Sequence, residues 1–292
     1  MYTRDSAILS RYINRIITDQ GSTLGSTFFK PAFSEIIEII EKLFKNGEQG
    51  FFYDPNDLST MWQDQAKLLP VTGEGQPIWH ILDKSGNNNH AFATSSATRP
   101  ILRRNATTGA YYLEFDGSDD FLQTSNIDFT STDEVSLFTG VNKLSDRGLI
   151  IAELSLNTNE NPGSFYLVSG ADSGGNGYSS LARGTFSASA GNVARNFTYP
   201  APDVAVLYVK HDISGALSSM RRNGVIGIEG LGYKGAGNFG NYPLFIGRRG
   251  GTSSPFNGHI YSIIGVGRLT SDDEIAFIEK ELAKRTGVDL NV

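Results

Sequence analysis

The stretch "YYLEFDGSDDFLQT" (111–124) sets four carboxylates, Glu114, Asp116, Asp119 and Asp120, into seven positions between two apolar runs. Three chemistries use such a cluster. On a strand, Glu114 and Asp116 share one face about 6.5–7 Å apart at the backbone. A retaining glycosidase holds its two carboxyl groups about 5–5.5 Å apart, so the spacing is compatible with catalysis. Asp119 and Asp120 are the acids a Ca²⁺ site would use, although such a site needs about six or more oxygens. In the third reading, Asp116-Gly117 and Ser118-Asp119 are turn formers whose short side chains close local hydrogen bonds. The turn is favoured, with Phe115, Phe121 and Leu122 anchoring the flanking strands in a core.

Aromatic rings in glycine-rich loops are the other lead. Asp172, Asn176 and Tyr178 lie in or beside "GADSGGNG", and Tyr233, Asn238, Phe239 and Tyr242 in or beside "GLGYKGAGNFGN". Exposed rings that stack on the apolar face of a sugar, beside amides and carboxylates, are the chemistry of a carbohydrate site. The alternative is that these rings plug the bases of their loops. "GLGYKG" also fits G-x-G-x-x-G, but it opens no helix and reads as a surface loop. His80, His90, His211 and His259 show no metal-ligand spacing and no triad pattern, so structural roles are expected.

These residues sit on short alternating runs such as "YLEFDG", "SLFTGV", "VAVLYVK", "PLFIGR" and "GHIYSIIGVG". Such runs, closely spaced without helices between them, predict an antiparallel β-sandwich over about residues 48–268. Asn223-Gly224 predicts a tight hairpin. Residues 271–286 predict a short C-terminal helix, with Ser271 and Glu274 at capping-box spacing and Gly287 as its stop. Before residue 47 the apolar period is helical. Two amphipathic helices are expected there. Ile8, Tyr12 and Ile16 lie on the first, and Ile36, Ile40, Leu43 and Phe44 on the second, which spans 31–45. Residues 1–47 therefore read as a docking or oligomerisation segment, with packing against the main domain as the alternative, and 48–292 as the sandwich with its C-terminal helix.

The bulk numbers exclude several classes. A net charge of −6, with the arginine doublets scattered, argues against a nucleic-acid binder. There is no cysteine, hence no disulfide or thiolate metal site. No apolar run reaches the roughly 18–20 residues of a membrane span. The charge-interrupted N-terminus does not read as a secretory signal, so a soluble protein is expected.

Four segments, "LDKSGNNNHAFA" (82–93), "YLEFDGSDDFLQT" (112–124), "MRRNGVIG" (220–227) and "FNGHIYSIIGVGRLTSDDEI" (256–275), together resemble the concanavalin A-like lectin/glucanase superfamily, more closely its laminin-G-like branch. The resemblance implies a mainly β, antiparallel jelly-roll sandwich over roughly residues 50–287. The opening "DPNDLSTMWQD" ahead of "DKSGN" is similar to lectin-like modules of bacteriophage virion proteins. That implies a tail, collar, head-fibre or decoration component, trimeric by analogy, with Ca²⁺ possible and no cofactor required. Its lectin-like domain would hold a host-surface or environmental glycan, the alternative being a purely structural cement protein that binds none. Its partners would be other virion proteins, and its place the extracellular particle after synthesis in the bacterial cytoplasm. The hydrolase branch carries acids at three alternating strand positions. Here Gly117 interrupts the strand and Ser118 stands at the third position, so a binding protein is expected rather than an enzyme, with Glu114/Asp116 hydrolysis as the remaining alternative.

Overall fold

The computed structural model describes residues 38–146, 149–170, 176–185, 194–196 and 198–291. Ile8, Tyr12, Ile16, Ile36 and Asp172 lie outside them. Alternation of apolar and polar residues builds two antiparallel sheets. Sheet I runs Val225–Ile226 (β15), Leu217–Arg222 (β14), Asp203–Asp212 (β13), Glu134–Lys143 (β8), Asn257–Val266 (β18), Tyr111–Asp116 (β6) and Ile101–Arg104 (β5). Gly50–Tyr53 (β1) also pairs with β18, and Gly230–Leu231 (β16) with β14. Sheet II runs Ala194–Asn196 (β12), Tyr178–Arg183 (β11), Ser164–Ser169 (β10), Leu149–Leu154 (β9), Asn241–Ile246 (β17), Leu122–Asp128 (β7), Ala91–Phe92 (β4), His80–Ile81 (β3) and Met61–Trp62 (β2). Leu113, Phe115, Leu137, Val141, Leu207 and Ile260 of sheet I meet Leu122, Ile127, Ala152, Phe165, Leu167 and Leu244 of sheet II in the main core. The predicted mainly β jelly-roll sandwich is the fold.

Local chemistry explains the connections. Asn223 and Gly224 both take positive φ, 50° and 81°, between the paired residues Arg222 and Val225, as an Asn-Gly hairpin turn requires. The capping box at Ser271 is present, and Gly287 ends the helix Asp272–Thr286 (α2) in the left-handed region.

A second apolar layer lies on the outer face of sheet I. There Phe52, Phe138, Val206, Tyr208 and Ile264 pack against Ile275, Ile278 and Leu282 of α2. Ile39, Leu43 and Phe44, on the helical residues 38–44 (α1), complete the same cluster, with Ile40 partly buried against it. This corrects the expected docking role of Ile40, Leu43 and Phe44. Sheet I is apolar on both faces, so its outer face needs a cover, and α1 supplies part of it. The sandwich and its helical cover therefore begin before residue 47.

The segment "LDKSGNNN" is a structural clasp. The buried Asp83 carboxylate accepts hydrogen bonds from the Phe52, Ser85 and Asn89 amides at 2.9 Å and from Ser85 Oγ at 2.8 Å. Asn87 and Asn89 donate to Gly50 O at 3.2 and 2.8 Å, binding the loop to β1. Asp83→Ala leaves three amides, two of them in buried hydrogen bonds, without that acceptor. It is expected to lower the unfolding free energy by about 3 kcal/mol, read by urea denaturation. A loss under about 1 kcal/mol would show that water replaces the carboxylate.

Candidate functional site

The acidic stretch folds as a turn, but not as a hairpin. β6 belongs to sheet I and β7 to sheet II, so residues 117–121 carry the chain from one sheet to the other. Asp116 Oδ1 accepts the Ser118 and Asp119 amides at 2.8 and 3.3 Å, and Gly117 sits at φ +76°. Asp120 Oδ2 accepts the Asp116 amide at 3.1 Å. Burial, then the neighbouring Asp116, pushes the Asp120 carboxyl up to about 7. One carboxylate oxygen from each of Asp116, Asp119 and Asp120 lies within 4.8 Å of the others. The group could accept a hard cation, with the remaining oxygens coming from backbone or water.

Glu114 has a separate partner. Its Oε2 lies 2.5 Å from Arg103 Nε, while Asp116 is held in the turn. Opposite Glu114 in register is His259, stacked on Tyr112 at 4.2 Å between ring centroids. The two acids proposed as a pair are thus committed to different neighbours.

The expected sugar-binding residues divide between the two ends of the sandwich. Tyr178 opens β11, and Gly184 and Thr185, which follow it, bond to Lys234 and Asn238. Six residues of strand, about 20 Å, separate the two sets. Tyr178 is also a core residue at 0% exposure, with its hydroxyl donating to Asp203 Oδ2 at 2.8 Å. Phe239, at 1%, packs edge-on to Phe165 inside the core. Neither ring can stack on a ligand. Both rings belong to the main core cluster, so the loop-plug alternative holds for them. Asn176 lies at the Tyr178 end, its carbonyl accepting from Lys143 Nζ at 2.6 Å.

At the far end, Asn238 donates to Thr130 O at 2.7 Å and the half-buried Tyr242 to Pro162 O at 3.1 Å. Tyr233 is 69% exposed, but its company is apolar: Val225, Ile226, Ile228 and Leu231 are exposed along the same β15–β16 edge. That strip suits a protein partner better than a sugar.

Sequence reading passed over Trp62 and Phe92 and gave His80 a structural role; the three lie on the two-residue strands β2, β4 and β3. Runs this short show no period. The one available signal is that both tryptophans of the chain, Trp62 and Trp79, fall within eighteen residues.

No protein-family model matches the chain, and no curated protein matches it. Solved structures do. A GH54 α-L-arabinofuranosidase matches with a TM-score of 0.56 at 12% identity over 81% of this chain and 62% of that one. A botulinum neurotoxin type C structure, concerned with cell entry through two ganglioside molecules, gives 0.52 at 10% identity over 85% and 53%. An arabinofuranosidase complexed with arabinofuranosyl-α-1,2-xylobiose gives 0.51 at 14% over 72% and 51%. The chain spans about half to three-fifths of the length of these structures. At such identities the likeness is one of fold. The chain shares a two-sheet antiparallel jelly roll with these structures.

Proposed function

We propose that this chain is a lectin-like adhesion module on a bacteriophage particle, in a tail, collar, head fibre or decoration, that holds host-surface or environmental glycans. The observation that carries the glycan half is the jelly roll shared with an arabinofuranosidase seen with arabinofuranosyl-α-1,2-xylobiose and with a botulinum neurotoxin whose cell entry depends on two ganglioside molecules. The virion half rests on the resemblance of "DPNDLSTMWQD" and "DKSGN". The module is non-catalytic in this reading, because Glu114 is paired with Arg103 and Asp116 closes a turn. It works as a homo-oligomer, a trimer by analogy, with other virion proteins as partners. It is made in the host cytoplasm, binds no nucleic acid, and inserts no helix in a membrane. Among the described residues no helix is long and apolar enough to cross one.

A glycan array run with Ca²⁺ and with EDTA tests the first half. Binding in either supports it, and binding in Ca²⁺ alone that Asp119→Asn abolishes supports a cation at the acidic turn. Co-purification of the chain with particles tests the second half. Released reducing ends that Glu114→Gln removes would make the protein a hydrolase instead. A second reading is a purely structural cement protein, favoured by the exposed apolar strip from Val225 to Tyr233. Silence on the array together with particle association would select it.

A further inference from the structure

The outward face of sheet II carries one transverse row. Trp62 lies opposite His80, His80 opposite Phe92, Phe92 opposite Gln123, and Gln123 opposite Phe245. Their chain neighbours Met61, Ile81, Ala91 and Leu122 are at 0% exposure in the main core, so the pleat turns the row away from it. The row is covered at one end. Phe245 is 3% exposed and packs on Phe121, against which Gly251 lies so closely that a Cβ there would meet the ring at 2.7 Å. Beyond it, Glu153 is fully buried, with its Oε1 on the Thr158 amide and its Oε2 on Arg249 Nε.

The other end is open. Trp62, His80, Phe92 and Gln123 are all half-buried, held from beneath with one side to solvent. The turn 64–67 forms a flank. His80 Nε2 stands 3.0 Å from Gln65 O, and Lys67 Nζ lies 5.8 Å from the Trp62 ring centroid. Asp64 is taken up by its own turn, accepting the Leu69 amide at 2.7 Å. With Nε2 donating to Gln65, the imidazole offers Nδ1 as an acceptor.

We propose that Trp62, His80, Phe92 and Gln123 form a carbohydrate-binding platform for an extended, uncharged glycan. This rests on the lectin reading above. Trp62 and Phe92 are two strands apart, about 10 Å, the advance of about two pyranose rings along an extended chain. Each ring can therefore stack on its own sugar. His80 and Gln123 alternate with the rings and supply an acceptor and an amide for the equatorial hydroxyls. None of the four carries charge with His80 neutral, and on the flank the Lys67 cation is offset by the Asp64 carboxylate of the same turn, so the platform carries no net charge to select an acidic sugar. The surface differs in kind from the Val225–Tyr233 strip, where four aliphatic side chains are exposed and Glu229 is the one charged residue among them.

The test is calorimetry of the full chain with hexasaccharides of β-1,4-linked xylose, glucose and mannose, alongside a glycan array that includes acidic glycans. Trp62→Ala and Phe92→Ala are each expected to weaken binding about tenfold or more, and Gln123→Ala several-fold. Trp62→Phe should retain most of the affinity, which separates loss of stacking from loss of fold. Tyr233→Ala and Tyr242→Ala should bind as the parent does. Binding that survives Trp62→Ala and Phe92→Ala but is lost in Tyr242→Ala would overturn the placement and leave the lectin reading intact. Binding to acidic glycans alone would overturn the ligand class. No binding to any glycan by the parent chain would overturn both.

Discussion

Deletion of residues 1–47 is expected to cost the fold about 6 kcal/mol, from three buried apolar side chains at about 2 kcal/mol each. Deletion of residues 1–37 retains every described core contact. Ile39, Leu43 and Phe44 are 2%, 0% and 6% exposed and lie in one cluster with Phe52, Phe138 and Ile264 of sheet I. The packing is close. A Cβ at Gly50 would meet the Phe44 ring at 2.9 Å, so β1 and α1 are fitted to each other. Arg268 ties the segment further, donating to Lys42 O at 2.9 Å while facing Glu48 at 3.5 Å. Urea unfolding of the two truncations reads the difference, and Leu43→Ala alone should cost about 3 kcal/mol. Equal stability of the two would mean that α1 is dispensable. The same pair probes assembly. If self-association resides in Ile8, Tyr12, Ile16 and Ile36, the chain starting at residue 38 is a folded monomer in analytical ultracentrifugation.

Acid is expected to destabilise the protein through His211. This residue faces the core of β13 at 0% exposure, with Nε2 2.8 Å from Ser180 Oγ and Nδ1 2.8 Å from Ser218 Oγ. Burial, then the nearby Lys234, pushes its pKa down to about 3 from an ordinary 6.5. Between those values the unfolded chain binds a proton that the native chain refuses. Stability is thus fully present above pH 6.5 and falls by about 1.4 kcal/mol per unit as the pH drops towards 3.

Asp120 acts in the opposite sense. Its pKa of about 7 lies above the ordinary 3.8, so the native chain holds the extra proton and gains stability as the pH falls from 7 to 3.8. Asp120 is itself buried, but the neighbouring Asp116 and Asp119 reach solvent, and screening of their charges makes this contribution the smaller one. Denaturation of the parent, His211→Gln and Asp120→Asn at pH 7, 6, 5 and 4 separates the two. Asp120→Asn should steepen the acid loss. His211→Gln, less stable at pH 7, should flatten or reverse it. A slope unchanged by His211→Gln would show that the imidazole titrates normally.

Much of the fold was legible because it depends on neighbours in the chain. Asn223-Gly224, the Ser271/Glu274 box, Gly287 and the Asp116 turn are local devices, and local chemistry is what a sequence displays. Alternation marked most of the long strands for the same reason. The candidate site was not legible in this way. Tyr178 and Tyr233 each lie beside a glycine-rich loop, but whether two loops share an end depends on strand direction, which neither loop encodes.

By itself the sequence determined that the chain is a β-sandwich, where its tight turns fall, and how its last helix begins and ends. Those properties follow from side-chain period and from backbone preferences spanning a few residues. Tertiary structure alone decided that β6 and β7 enter different sheets, and that Leu43 and Phe44 turn onto their own sheet. It also brought Trp62, His80, Phe92 and Gln123 into one row. The physical reason is register. Residues as far apart in the chain as Phe92 and Gln123 become neighbours about 5 Å apart only when their strands pair, and each pairing is set by burial of the opposite face.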